Sequence, residues 1–284
     1  MALANVVGHN LHPSAPTTPI DKTTRRLTSV LLSNSIPLLA ILIVTLVMAK
    51  IEKRSFSVYG LGGKHKVSHF FMGLAWGVAC LSALIFTLWK TDLLLIENRL
   101  LFGADVFRYG AIWLFGFILV ALFEESLTRG YLLFTLSRGC AGLYEWIFKT
   151  RHHKVLGFWT AALILSFLFG LGHASNSGES PIGLLSASLA SLVFCLSLWR
   201  TGSLWWAIGF HTTWDWAQSF LYGVADSGTM VQHHLFASHP AGTPILSGGA
   251  TGPEGSIFIL AVLALISVII LFTLPRASYG DAKG

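Results

Sequence analysis

The chain has 284 residues, 54% of them hydrophobic and only 11% charged, with a formal net charge of +6 and a mean hydropathy of +0.67. A soluble domain carries about 25% charged residues, so the composition excludes an ordinary soluble protein and specifies an integral membrane protein with the lipid bilayer as its surroundings. The basic excess then belongs to topology and anionic headgroups; no basic stretch is interleaved with exposed aromatics in a soluble module, which sets nucleic acid aside.

Residues 1–26 are polar, with Pro13, Pro16 and Pro19 and a Ser/Thr bias, a composition expected of a disordered tail. The first apolar run begins near Leu27, too far from Met1 for a secretory signal, and is expected to be a retained span. The rest, 27–275, is expected to form a single membrane domain. A transmembrane helix needs about 20 mostly apolar residues. Runs of that kind lie at about 27–49, 69–89, 109–136, 155–175, 182–199, 203–221 and 257–274. A further apolar stretch, 131–148, is broken by Arg138 and Gly139 and reads either as an interfacial helix or as an eighth span. The fold class expected is all-α: a multi-pass transmembrane bundle of seven or eight spans, with polar residues of three core helices facing a central cavity. With seven spans the basic loops 50–68 and 149–154 fall on one side, and the Gly-, Ser- and Pro-rich segment 222–256, which has no Lys or Arg, on the other.

Cys80, Cys140 and Cys195 are odd in number and match no metal spacing, so they read as small buried hydrophobes. The ionisable residues inside the apolar runs are more informative. Each costs at least a few kcal/mol in a span and persists when it faces a cavity and has partners. In "FEESLTRGYL", Glu125 and Arg129 stand four apart on one helical face and can pair. Glu124 is rotated by about 100° from Glu125 and faces elsewhere. In "FLFGLGHASN", His173 ends an apolar run with Phe169 one turn before it and Asn176 three residues after. Gly170 and Gly172 leave room there for a neighbouring helix or a substrate. In "GFHTTWDW", His211 and Asp215 are four apart, so Asp215 can fix the His211 tautomer or share a cavity with it. Trp205, Trp206, Trp214 and Trp216 read as packing residues. His233, His234 and His239, with His152 and His153, lie in loops at no fixed metal spacing.

Taken singly, each polar group also fits a structural clamp. Together they place three carboxylates, two histidines and an arginine on three apolar helices, which suits acid–base or metal chemistry. The chain has no HExxH, no GxSxG and no Ser–Lys pair, and Asp215 lacks the second intramembrane aspartate of an aspartyl protease.

The motifs "EESLTRG", "FGLGH" and "HTTWD", in this order on separate apolar helices, resemble those of the CPBP family: CAAX prenyl proteases, bacteriocin-processing and self-immunity (Abi-type) membrane proteins. The resemblance covers about residues 109–221. It implies an intramembrane endopeptidase, a CAAX-type hydrolase and metalloprotease by its usual label, acting on a membrane-associated or lipidated protein or peptide. The catalytic positions it implies are Glu124, as general base, with His173, His211 and Asp215; Glu125, Arg129, Phe169 and Asn176 support them. Prenyl-processing members carry Asn where this chain has Asp215; an Asp would oppose an oxyanion and suits a metal ligand or a His-orienting role.

Two mechanisms stay open at this point. One is a zinc site built from Glu124, His173, His211 and Asp215 with a metal-activated water. The other is metal-free, with Glu124 deprotonating the water, His173 positioning it and His211 with Asp215 facing the oxyanion. A non-proteolytic immunity or scaffold protein, and a proton-coupled transporter, are the alternative functions; the absence of an internal repeat counts against the second. The expected location is the cell membrane. The enzyme reading requires Glu124, His173, His211 and Asp215 to reach one cavity.

Overall fold

The computed structural model describes residues 24–25, 27–63 and 65–275. Apart from Thr24 and Arg25, the polar tail expected over 1–26 lies outside the described residues. In chain order the elements are β1 (Thr24–Arg25), α1 (Leu27–Ile51), α2 (Lys66–Lys90), β2 (Leu94–Arg99), α3 (Ala104–Glu125), a π-helical stretch Ser126–Leu132, α4 (Leu133–Phe148), α5 (His153–Gly172) and α6 (Pro181–Thr201). There follow α7 (Trp205–Trp216), a second π-helical stretch Ala217–Leu221, β3 (Met230–Val231), β4 (Phe236–Pro240), α8 (Pro244–Ser247) and α9 (Ile259–Thr273). Helices dominate because hydrocarbon offers backbone groups no partners, and a helix satisfies its own.

Among the described residues, five helical segments are long and apolar enough to cross a membrane: Thr28–Ile51, Lys66–Lys90, Ala104–Phe148, His153–Ser175 and Pro181–Thr201. The protein is integral to a membrane, but this count is lower than the seven or eight read from apolar runs. Residues 131–148 account for part of the difference. They continue α3 without a reversal, in one helical segment of 45 residues, so they make no separate eighth span. At 1.5 Å per residue that segment is about 68 Å long if straight, about twice the hydrocarbon thickness. The runs at 203–221 and 257–274 fold into shorter helices, α7 of 12 residues and α9 of 15.

α7 is short and enclosed. Trp206, Ala207, Ile208, Phe210, Thr212, Thr213 and Asp215 are all buried. Its backbone lies directly against α2: a Cβ on Gly73 would collide with the Trp206 carbonyl, and one on Gly209 with the Phe70 carbonyl. Such contact between backbones is how small residues draw helices together in a bilayer. α6 starts at Ser180, whose Oγ accepts from Gly183 N at 3.0 Å, with Pro181 in the first turn. It stops at Gly202, whose φ of 65° ends the helix.

The connections gather at two ends. At one end Leu204 N donates to Gly60 O (2.9 Å), and Arg138 pairs with Glu52 at 2.6 Å. At the other end the all-α expectation needs correction. There β2 pairs with β4 in antiparallel register from Leu94↔Pro240 to Arg99↔Phe236, with an irregularity between Ile96 and Asn98. Short parallel β1 and β3 pair as well. Segment 222–258 belongs to this second end. Gly228 N donates to Thr251 O (3.0 Å) and Thr251 Oγ1 to Gly178 O (3.0 Å), which ties the segment to the turn after α5.

Candidate active site

α3 and α7 lie side by side and deliver their polar residues to one level. α3 ends at Glu125, where the chain passes into the π-helical stretch Ser126–Leu132. A π-turn carries one more residue than an α-turn and is frequent at functional sites. Within it Arg129 Nη1 donates to Glu125 Oε1 at 2.6 Å and to Thr128 Oγ1 at 3.2 Å. Both partners are enclosed, with side chains 0% (Glu125) and 2% (Arg129) exposed. The guanidinium lies 4.7 Å from the Phe169 ring centroid and 5.3 Å from that of Phe194, so aromatic faces stabilise the buried cation. The sequence spacing of this pair is realised as expected.

His211 joins the two helices. Its Nδ1 lies 3.0 Å from Glu125 Oε1, and the ring nitrogen is the donor because a carboxylate only accepts. On the other side of the ring, Nε2 is 3.4 Å from Asp215 Oδ2 and 3.9 Å from Glu124 Oε2. Asp215 stands four residues on along α7, as its spacing requires. Glu125 thus serves Arg129 and His211 through the same oxygen. Glu124 lines the cavity, and its side chain is 26% exposed.

His173 caps α5 and begins a single 3₁₀ turn, His173–Ser175. Its Nδ1 lies 2.9 Å from Phe169 O, which can only accept, so Nδ1 carries the proton of that bond and Nε2 is the remaining nitrogen. The Phe169 and His173 rings lie 4.9 Å apart. Gly170, as expected, allows close approach, since a Cβ there would strike Ser188 and the Leu184 carbonyl of α6. Gly172 faces open space, with no neighbouring helix against it.

These residues surround an open cavity lined by Glu124, Arg129, Phe169, His173, Asn176, His211 and Asp215. Glu125 stands behind it. Of the residues singled out from the sequence for catalysis or support, all except Glu125 face this space. The loop histidines do not gather there: His233 stacks on Tyr109 at 4.2 Å, and His234 Nδ1 bonds Phe236 O at 2.7 Å.

Among the described residues no three His, Cys, Asp or Glu side chains are grouped to hold a metal ion. Glu125 fixes the His211 ring through Nδ1, and Nε2 faces the Asp215 and Glu124 carboxylates.

Asp226, Ser227 and Glu254, from segment 222–258, also line the cavity, and no sequence spacing points to them. They lie in turns with no helical period, and Glu254 reaches the site only through the fold. The one available signal is an acidic residue, Glu254, a few positions before an apolar helix.

Residues 106–217 match the family model for the Rce1-like family, described as Type II CAAX prenyl endopeptidase Rce1-like. This stretch runs from α3 to the start of the second π-helical stretch and contains all the residues singled out from the motifs. The resemblance carried by those motifs holds over that segment. No curated protein and no solved structure gives a match.

Proposed function

We propose that the protein is an intramembrane endopeptidase of the CAAX type, hydrolysing a peptide bond in a membrane-associated or lipidated protein or peptide, in the cell membrane. In this reading α7 and α9 cross the bilayer with the five longer segments. The observation that carries the proposal is the meeting of Glu124, His173, His211 and Asp215, from α3, the end of α5 and α7, on one open cavity.

The chemistry is assigned to the chain's own groups. Glu124, the carboxylate open to the cavity, takes a proton from a water molecule as its oxygen attacks the carbonyl carbon. His173 Nε2, left without the ring proton, accepts a hydrogen bond from that water and holds it in line. His211, fixed by Glu125 at Nδ1, faces the oxygen of the tetrahedral intermediate. Asp215 carries a charge that opposes an oxyanion, so its role is to hold the His211 ring. The C–N bond then breaks, and the leaving amine takes the proton from Glu124.

The test is cleavage of membrane-derived peptides, with and without an attached lipid, by purified protein in detergent. Glu124→Ala is expected to lower kcat by about 10³-fold, the usual weight of a general base. Cleavage by Glu124→Ala at the wild-type rate would sink the proposal.

A further inference from the structure

Glu254 stands a few residues before α9 and outside the segment that matches the Rce1-like family, yet it reaches the cavity. Trp214 Nε1 donates to its Oε1 at 2.7 Å. Its Oε2 accepts from Ser227 N at 3.3 Å and Ser227 Oγ at 3.1 Å. Both carboxylate oxygens are therefore engaged, by three donors from two other parts of the chain. A carboxylate is costly in these surroundings and persists only with such partners.

The partner that matters is Trp214, which lies between His211 and Asp215 in sequence and is itself a cavity wall. Its ring stacks on Phe210 (5.7 Å, 20°), and Phe210 stacks on Trp206 (5.1 Å, 27°). The ladder fixes one face of the indole, and the N–H end needs a partner because the residue is only 7% exposed. Glu254 supplies it. Beyond Glu254, Ile259, Leu263 and Ile266 of α9 continue the wall as hydrocarbon. Trp214 and these three residues make an apolar stretch of the cavity wall, and one charge-assisted bond holds the indole in place.

We infer that Glu254 is a specificity-determining residue, which fixes the Trp214 ring as the wall of a subsite for an apolar side chain adjoining the scissile peptide bond. The inference rests on the protease reading above and adds to it the class of side chain read and the residue that sets the reading. Glu254 acts through Trp214, so it is a positioning residue. A wall displaced by the size of a methylene changes discrimination by about 10- to 200-fold.

The experiment takes a peptide that the full-length protein cleaves and varies the residue on each side of the scissile bond in turn among Ala, Leu and Phe. Wild type is compared with Glu254→Gln, Trp214→Phe and the double variant. Glu254→Gln keeps the shape of the side chain and removes its charge; Trp214→Phe removes the indole N–H and keeps an aromatic wall. Each single variant is expected to raise KM for the preferred peptide about tenfold, as loss of a charge-assisted hydrogen bond implies, and to shift the ranking of the peptides. kcat should stay within about threefold, since the base and its water are untouched. The double variant should be no worse than the poorer single one, because both act on the same contact. An equal loss on every peptide, a fall in kcat at constant KM, or additive effects would overturn the inference and leave the protease reading standing. A wild type that cleaves no peptide would overturn both.

Discussion

Two carboxylates that adjoin in the chain end in opposite surroundings. Glu125 is sealed behind the cavity wall, where one of its oxygens serves both Arg129 and His211. Glu124 lies on the cavity side with part of its side chain open and leaves Arg129 to its neighbour. The difference comes from a rotation of about 100° along α3, and it separates two kinds of work. The closed side fixes the position of an imidazole; the open side keeps a carboxylate available to water. The aromatic faces of Phe169 and Phe194 sharpen the contrast, since they enclose Arg129 while Phe169 also directs His173 through its carbonyl.

Disturbing the closed side should damage folding most. Arg129→Met leaves Glu125 buried without its cation, and breaking such a pair costs about 3–5 kcal/mol. The expected result is a large drop in the thermal transition of the detergent-solubilised protein, with loss of activity following it. A wild-type transition temperature in this variant would show that Glu125 does not depend on Arg129.

The smallest effect is expected outside the cavity lining, at the β-paired end. Burial lowers the pKa of His234 below its ordinary value of 6.5. The unfolded chain then binds more protons than the folded one between the folded and unfolded values, so stability falls as pH drops below about 6.5. Thermal melts between pH 7 and pH 5 should show this loss in the wild type and a flatter profile in His234→Gln. Identical slopes would remove His234 from the account.

Much of the site was legible because helical spacing is local. Glu125 with Arg129, and His211 with Asp215, are four-residue pairs, and both contacts occur. The outward rotation of Glu124 follows from the same geometry. The link from Glu125 to His211 spans two helices and no period encodes it. Glu254 was hidden for a stronger reason, since it reaches Trp214 from a turn-rich segment whose path depends on tertiary contacts. Apolar runs outnumber the five long helices where local signals mislead. Arg138 and Gly139 look like a break, yet the helix runs through both. At Gly130 the missing side chain admits the Tyr59 carbonyl, which a Cβ would meet at 3.1 Å. The run at 203–221 is apolar because α7 is buried among other helices, a requirement that composition cannot distinguish from facing lipid.

The division between the two carboxylates is tested most directly by measuring Glu124→Gln and Glu125→Gln side by side, for peptide cleavage and for thermal stability. Glu124→Gln should lose about 10³-fold in kcat while keeping the wild-type transition temperature. Glu125→Gln should melt well below the wild type, because the charge holding Arg129 and His211 is gone. The reverse pattern, a stable and inactive Glu125→Gln beside an active Glu124→Gln, would contradict the assignment of roles.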